Sequence, residues 1–369
     1  MWLFYVLLFY LVALTIVFST GEDYKFKRIV FFVLTAGVMV FLSAFRGINV
    51  GNDTNEYLSI FKDITNTTIA EYSGNVRFEI GYVGLNKLLS LLSENPQIVI
   101  IFTSLFFYFS VFSFISKHSK NVYVSTLLFF VLGYFSMSTN TIRHNTALAI
   151  LLFGYSFLKD GKNVKFFLMC ILAALFHTTA LVFVLCFFFK KVKINKSIFA
   201  VIMGSVLVVA VLLPIMAGFV ANMLPEYAYY FYSEYFNDGF KIASLANVGM
   251  SLLFFILGRF SKYEEDKDVF LMTNINFVGL IFMILSMSFT LLSRVGGFFT
   301  IFALVLIPNS IQMKVNNPFK RKCYYGSITI AFTAYLILSQ VIRPEWNEVF
   351  PYDFFWNNAS AIINCYWIR

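Results

Sequence analysis

The chain has 369 residues, of which 59% are hydrophobic and 13% charged, with a mean hydropathy of +0.77. Soluble domains are roughly 45–50% apolar and about 25% charged, so this composition excludes a soluble globular enzyme, a disordered chain, a collagen and a disulfide scaffold. The net charge of +9 admits a nucleic-acid partner only until its distribution along the chain is considered.

Apolar runs lie at about 2–19, 28–45, 97–115, 121–137, 141–158, 197–221, 242–259, 269–291, 295–312 and 323–342. Each is long enough to cross the ~30 Å hydrocarbon core as a helix. The first has neither a basic leader nor a small-residue cleavage site and reads as a retained helix. The stretch 164–189 has two readings. As one helix it spans once; as two segments meeting near His177, each half reaches only about 20 Å.

Charge decides between them. The connections at 20–28, 116–120, 159–165, 190–196, 259–268 and 313–322 hold 19 of the 28 Lys and Arg. Both flanks of 164–189 are basic, so a hairpin there puts every basic loop on one side, as the positive-inside rule requires. The basic surplus therefore reads as topology, and no nucleic-acid partner is expected. Two half-length arms leave backbone ends at membrane depth, which protein or a water-filled cavity must surround.

The expected fold class is all-α: a polytopic integral membrane protein of about 11–12 membrane helices, including the short-helix hairpin at 164–189. Residues 1–369 read as one transmembrane domain, with both termini outside and outward-facing segments at 46–96, 222–241 and 343–369. An amphipathic stretch, 79–92, is too short to span and is expected to lie in the interface. Cys170, Cys186, Cys323 and Cys365 show no C-x-x-C spacing, which indicates neither a zinc site nor a disulfide framework.

The segment Phe45-Arg46-Gly47-Ile48-Asn49-Val50-Gly51-Asn52-Asp53-Thr54-Asn55-Glu56-Tyr57 gathers an arginine, two glycines, three asparagines and two carboxylates. Arg46 is a candidate anion ligand and Asp53 a candidate base or sugar-hydroxyl acceptor. The plainer reading is a solvated loop in which Asp53-Thr54 caps the next helix. Arg77-Phe78-Glu79-Ile80-Gly81-Tyr82, continuing to Leu85-Asn86, puts Glu79, Tyr82 and Asn86 at helical spacing; the plainer reading is an interfacial helix. Arg143 and His144 open the fifth run, His177 lies in Phe176-His177-Thr178-Thr179, and Arg294 in Ser293-Arg294-Val295. Ionisable groups at membrane depth usually face a cavity or a partner, although arginines near an interface also snorkel. In the hairpin topology Arg46, Arg143, His177 and Arg294 share the outer face. The run 226–236 holds seven aromatics, which suit either a bilayer belt or stacking on sugar rings. No P-loop, G-x-S-x-G, H-E-x-x-H or dinucleotide-binding pattern occurs.

These residues carry a resemblance. The chain resembles the EpsG/Wzy-like polymerases of bacterial exopolysaccharide and O-antigen assembly, through Arg46-Gly47 with Asp53 and Tyr57, Phe78-Glu79-Ile80-Gly81-Tyr82 with Leu85-Asn86, Ile142-Arg143, Phe176-His177-Thr178-Thr179-Ala180 and Arg294. Phe350-Pro351-Tyr352 is a weaker piece, and His144 replaces the glutamine expected after that arginine. The resemblance implies a GT-C-like glycosyltransferase of the bacterial cytoplasmic (inner) membrane, working at its periplasmic or outer face. Such an enzyme transfers a growing glycan from undecaprenyl pyrophosphate onto the non-reducing end of a lipid-linked repeat unit. Partners would be those lipid-linked glycans, membrane lipid and a chain-length-regulating membrane protein. Arg46, Arg143 and Arg294 would hold the pyrophosphate, with Asn52, Tyr57 and Tyr82 beside the sugar. His177, Asp53 and Glu79 are the candidate bases, His177 first because imidazole titrates nearest neutrality. With three arginines to supply positive charge, no metal or other cofactor is expected. Rival readings are an O-antigen ligase, a lipid-linked oligosaccharide flippase or transporter, and a membrane acyltransferase.

Overall fold

The computed structural model describes residues 2–67, 78–215, 222–223, 242–261, 263–342, 349 and 352–358. Arg77, the aromatic run 226–236, Phe350-Pro351 and most of the outward segments 222–241 and 343–369 lie outside the described residues. Those that are described form helices in the order α1 (Trp2–Ser19), α2 (Lys25–Ala44), α3 (Thr54–Asn66), α4 (Ile80–Ser90), α5 (Gln97–His118), α6 (Val122–Val131), α7 (Tyr134–Ser138) and α8 (Ile142–Lys159). There follow α9 (Asn163–Ala174), a 3-10 turn (Thr178–Val184), α10 (Leu185–Phe189), α11 (Lys196–Ile215), α12 (Ile242–Phe260), α13 (Lys267–Leu285), α14 (Leu292–Thr300), α15 (Ala303–Lys314) and α16 (Pro318–Ile342). No strand forms among the described residues. The protein is all-α and multi-pass.

Five of these helices are long and apolar enough to cross a membrane: α2, α5, α11 over 196–214, α13 and α16. A sixth crossing results if α14 and α15, bent by 41°, count as one. The sequence expectation of about 11–12 also includes shorter and interrupted helices. The run 121–137 is one of these, divided at Gly133 into α6 and α7.

The segment 164–189 is a hairpin. Asn163 Oδ1, at its start, accepts a hydrogen bond from Lys190 Nζ, just past its end, at 2.6 Å. Farther in, Phe167 and Phe187 pack with ring centroids 5.0 Å apart. A single straight span of 26 residues would part those ends by about 39 Å. The chain instead goes out along α9, turns at 175–177 and returns.

Two compact units share the chain, interleaved in sequence. The first comprises Met1–Tyr155, Leu168–Thr178 and Asn317–Arg369; the second comprises Ser156–Phe167 and Thr179–Asn316. In the first, α3 and α4 are too short to span and pack on the start of α5. Tyr57, Phe61 and Ile64 from α3, Tyr82 and Val83 from α4, and Ile100 from α5 form a shared core with Ile142. The opposite face of α4 leaves Ile80 and Leu88 exposed, followed by exposed Leu91 and Leu92, which suits the bilayer interface expected for 79–92. In the second unit α13 is central and mostly buried, while α11 is almost wholly exposed along its apolar length. Phe199, Phe255 and Phe277 join α11, α12 and α13, with centroids 5.1–5.9 Å apart.

Candidate active site

Four of the residues singled out in sequence, Glu79, Arg143, His177 and Tyr57, meet in the first unit. Glu79 stands at the N-cap of α4 in extended conformation (φ −64°, ψ 140°) and makes no cap of its own. That frees its carboxylate. Glu79 Oε2 receives Arg143 Nη1 at 2.5 Å, and Oε1 lies 3.4 Å from His177 Nδ1. The Thr178 backbone N–H donates to Oε1 at 3.1 Å. Burial alone would raise the Glu79 carboxyl, but the adjacent His177 side chain, the Arg143 charge and backbone N–H donors bring it down to about 2. The positive end of α4 acts in the same direction.

Each partner arrives on its own element. Arg143 is the second residue of α8, its guanidinium 4.7 Å above the Phe78 ring centre. Tyr57, on α3, meets the same guanidinium, and burial pushes its phenol up, so it stays protonated. Tyr57 and Tyr82 stack edge to face at 5.9 Å. His177 comes from the hairpin apex, which is docked through the Gly81 N–H to the Leu175 carbonyl at 2.8 Å. A Cβ at Gly81 would lie 2.6 Å from that carbonyl oxygen, so only glycine lets the two backbones close.

The other sequence candidates sit elsewhere. Arg46 is buried, with 1% exposure. Its Nε donates to Thr54 Oγ1 at 3.0 Å and its Nη1 to the Ser43 carbonyl at 2.5 Å. The Arg46 carbonyl accepts from Gln97 Nε2 at 3.1 Å, and an isolated antiparallel bridge pairs Arg46 with Phe354. Gly47 N–H donates to the Asp353 carbonyl at 2.7 Å and Phe355 N–H to the Phe45 carbonyl at 3.1 Å. Burial pulls the guanidinium down to about 10, still charged at neutral pH. Its Nη2 has no hydrogen-bond partner among the described residues, and Arg46 lines a small cavity of about 10 Å³ with Ser43, Thr103, Ser104, Phe107, Ser138, Ile142 and Asn145, room for roughly one water. Arg46 thus ties α2, α3, α5 and the segment 352–358 together.

Asn52 exposes its side chain and uses its backbone N–H, which donates to Asn140 Oδ1 at 2.6 Å. Asp53 holds the N-cap position of α3 without a side-chain capping bond; its Oδ2 accepts the Thr141 N–H at 3.4 Å. Tyr82 is fully buried within the α3–α4 core. Arg294 is exposed on α14 of the second unit.

Three further contributors were named in sequence without a role in the site. His144 packs edge to face on His177 with centroids 5.5 Å apart; its signal was adjacency to Arg143. Phe78 supports Arg143, and Thr178 donates to Glu79 through its backbone, which no residue pattern announces. Among the described residues no cluster of three His, Cys, Asp or Glu is arranged to hold a metal ion.

A model of the EpsG family matches residues 29–354, most of the chain and all of the cluster around Glu79. The chain belongs to the EpsG family. For this EpsG-family protein that membership points to a glycosyltransferase-like, polysaccharide-polymerase type of function. No curated protein and no solved structure matches it.

Proposed function

We propose that this EpsG-family protein polymerises a polysaccharide from lipid-linked repeat units at the outer face of the bacterial cytoplasmic membrane. The observation that carries the reading is the Glu79 carboxylate, which engages Arg143 and His177 at once. A carboxylate on one imidazole nitrogen fixes the ring and stabilises the imidazolium formed when the other nitrogen takes a proton. His177 is then the base and Glu79 its orienting partner. A carboxyl held near 2 is too weak a base to compete.

In the proposed step the acceptor's non-reducing-end hydroxyl oxygen attacks the anomeric carbon of the donor glycan. The bond from that carbon to the pyrophosphate oxygen breaks, its electron pair leaves with undecaprenyl pyrophosphate, and the hydroxyl proton passes to His177. Arg143, offset in the resting site by Glu79, is the cation nearest this chemistry. Arg46, enclosed as it is, supports the site instead of binding substrate. Loops rich in Lys and Arg meet one another within each unit, through Tyr123–Asp23 in the first and Lys159–Asp268 in the second. Within the first unit that contact supports a cytoplasmic side for its basic loops and an opposite, outward side for the segment carrying Glu79.

The test is reconstitution. Purified protein in lipid vesicles, given undecaprenyl-pyrophosphate-linked repeat units and no nucleotide, should yield a ladder of lengthened glycans. Transfer only to lipid A core would identify a ligase, and movement of the lipid without new glycosidic bonds would identify a flippase.

A further inference from the structure

Three consecutive residues, Gly51-Asn52-Asp53, dock on three others, Thr139-Asn140-Thr141. Gly51 has φ +86°, and a Cβ there would stand 2.6 Å from the Thr139 carbonyl oxygen. Asn52 donates its backbone N–H to Asn140 Oδ1, and Asp53 Oδ2 accepts the Thr141 N–H. The turn is held from its far side as well. Asn145 Nδ2 lies 2.9–3.4 Å from the carbonyls of Met137, Ser138 and Asn140, and Asn140 Nδ2 donates to the Ser136 carbonyl at 3.3 Å.

Thr141 is the reason such holding is needed. Its φ is +32°, the only positive value at a non-glycine position among the described residues. A β-branched residue is strained there and persists only where its surroundings over-determine it. Directly after it α8 begins, and Arg143 and His144 follow. A helix turns about 100° per residue, so a slip of one position at this start would swing Arg143 off Glu79 and His144 off His177.

We propose that Asp53 and Asn140 are positioning residues for glycosyl transfer: they pin the strained Thr139–Thr141 turn and so keep Arg143 on Glu79 and His144 on His177. The consequence for product rests on the polymerase reading; the consequence for the backbone does not. Asp53 acts here as an acceptor for a backbone amide, not as a base.

The experiment compares Asp53→Ala, Asp53→Asn, Asn140→Ala and the double variant Asp53→Ala/Thr141→Gly in the full-length chain. Hydrogen exchange in detergent reads the amides of residues 142–146, and a gel of surface polysaccharide from a complemented deletion strain reads product at matched membrane levels. Asp53→Ala and Asn140→Ala should raise exchange and cut polymer by about tenfold or more, the scale of one lost hydrogen bond. Asp53→Asn keeps an oxygen for the Thr141 N–H and should rescue both readouts. The double variant should regain part of the product, because glycine adopts positive φ without strain. If Asp53→Asn is as inactive as Asp53→Ala while exchange stays at the wild-type level, Asp53 acts chemically and the proposal falls. It falls equally if Asp53→Ala leaves exchange and product unchanged. Should the deletion strain keep its polysaccharide, the polymerase reading fails and the exchange data alone decide on the turn.

Discussion

Glu79 concentrates the electrostatics of the site on one side chain, and its effect on stability has a definite sign with pH. Its folded-state carboxyl is depressed from 4.5 to about 2, so the stabilisation is fully present above the ordinary carboxylate range and is lost as pH falls toward 2. After solvent screening of this partly exposed carboxylate, the stabilisation is on the order of 1–3 kcal/mol. Thermal unfolding of the purified protein should show wild type losing stability between about pH 4.5 and 2, with Glu79→Gln already lower at neutral pH and flatter across that window. Arg46 offers a second contrast. A substrate-binding arginine should yield a variant that folds normally and binds lipid-linked glycan poorly. The enclosed arginine seen here, donating through Nε and Nη1 in a fixed fork, predicts that Arg46→Lys lowers the melting temperature and membrane abundance, at a cost of about 2–4 kcal/mol. Arg143 and His177 stood out in sequence because ionisable groups are rare in apolar runs, and Glu79 through its helical spacing with Tyr82 and Asn86. Arg46 stood out through the glycines, asparagines and carboxylates that follow it, but the partners that enclose it, such as Gln97 and Phe354, lie 51 and over 300 positions away.

At the scale of elements, the docking of the hairpin apex on α4 makes the site. Gly81 and Gly84 lie one turn apart on that helix and give a matched pair. A Cβ on Gly81 would collide with the Leu175 backbone, whereas one on Gly84 meets nothing within 4 Å. Gly81→Ala should therefore separate Glu79 from His177 and abolish product. Gly84→Ala should keep product and raise stability by about 0.5–1 kcal/mol, the ordinary gain of alanine over glycine in a helix. The surface-polysaccharide gel and a melting curve read both. The hairpin itself was legible from the basic residues on its two flanks, a signal the bilayer imposes. The breaks in other runs were not: apolarity continues through Gly133 and through Ile301-Phe302, so hydropathy alone sees one span where the backbone makes two helices.

Across the whole molecule, the composition set the fold class and the charged loops set the expected sidedness. The interleaving of two compact units was invisible, because three of its crossings, at 155/156, 167/168 and 178/179, fall inside apolar runs, and the fourth, at 316/317, lies in a basic loop like the others. Sidedness has its own prediction. In a background without native cysteines, Asn163→Cys and Lys190→Cys, whose parent side chains are hydrogen-bonded, should react with a membrane-impermeant maleimide from the same side. Glu56→Cys and Lys120→Cys, beyond opposite ends of α5, should react from opposite sides. Labelling of positions 163 and 190 from opposite sides would undo the hairpin topology. The central claim is that the Glu79–Arg143–His177 cluster builds a polysaccharide, and the most direct measurement is a gel of surface polysaccharide from a deletion strain carrying wild-type or His177→Ala copies at matched membrane levels. The account predicts a full ladder with wild type and a single repeat unit on the surface anchor with His177→Ala; an intact ladder in the deletion strain, or in His177→Ala, would contradict it.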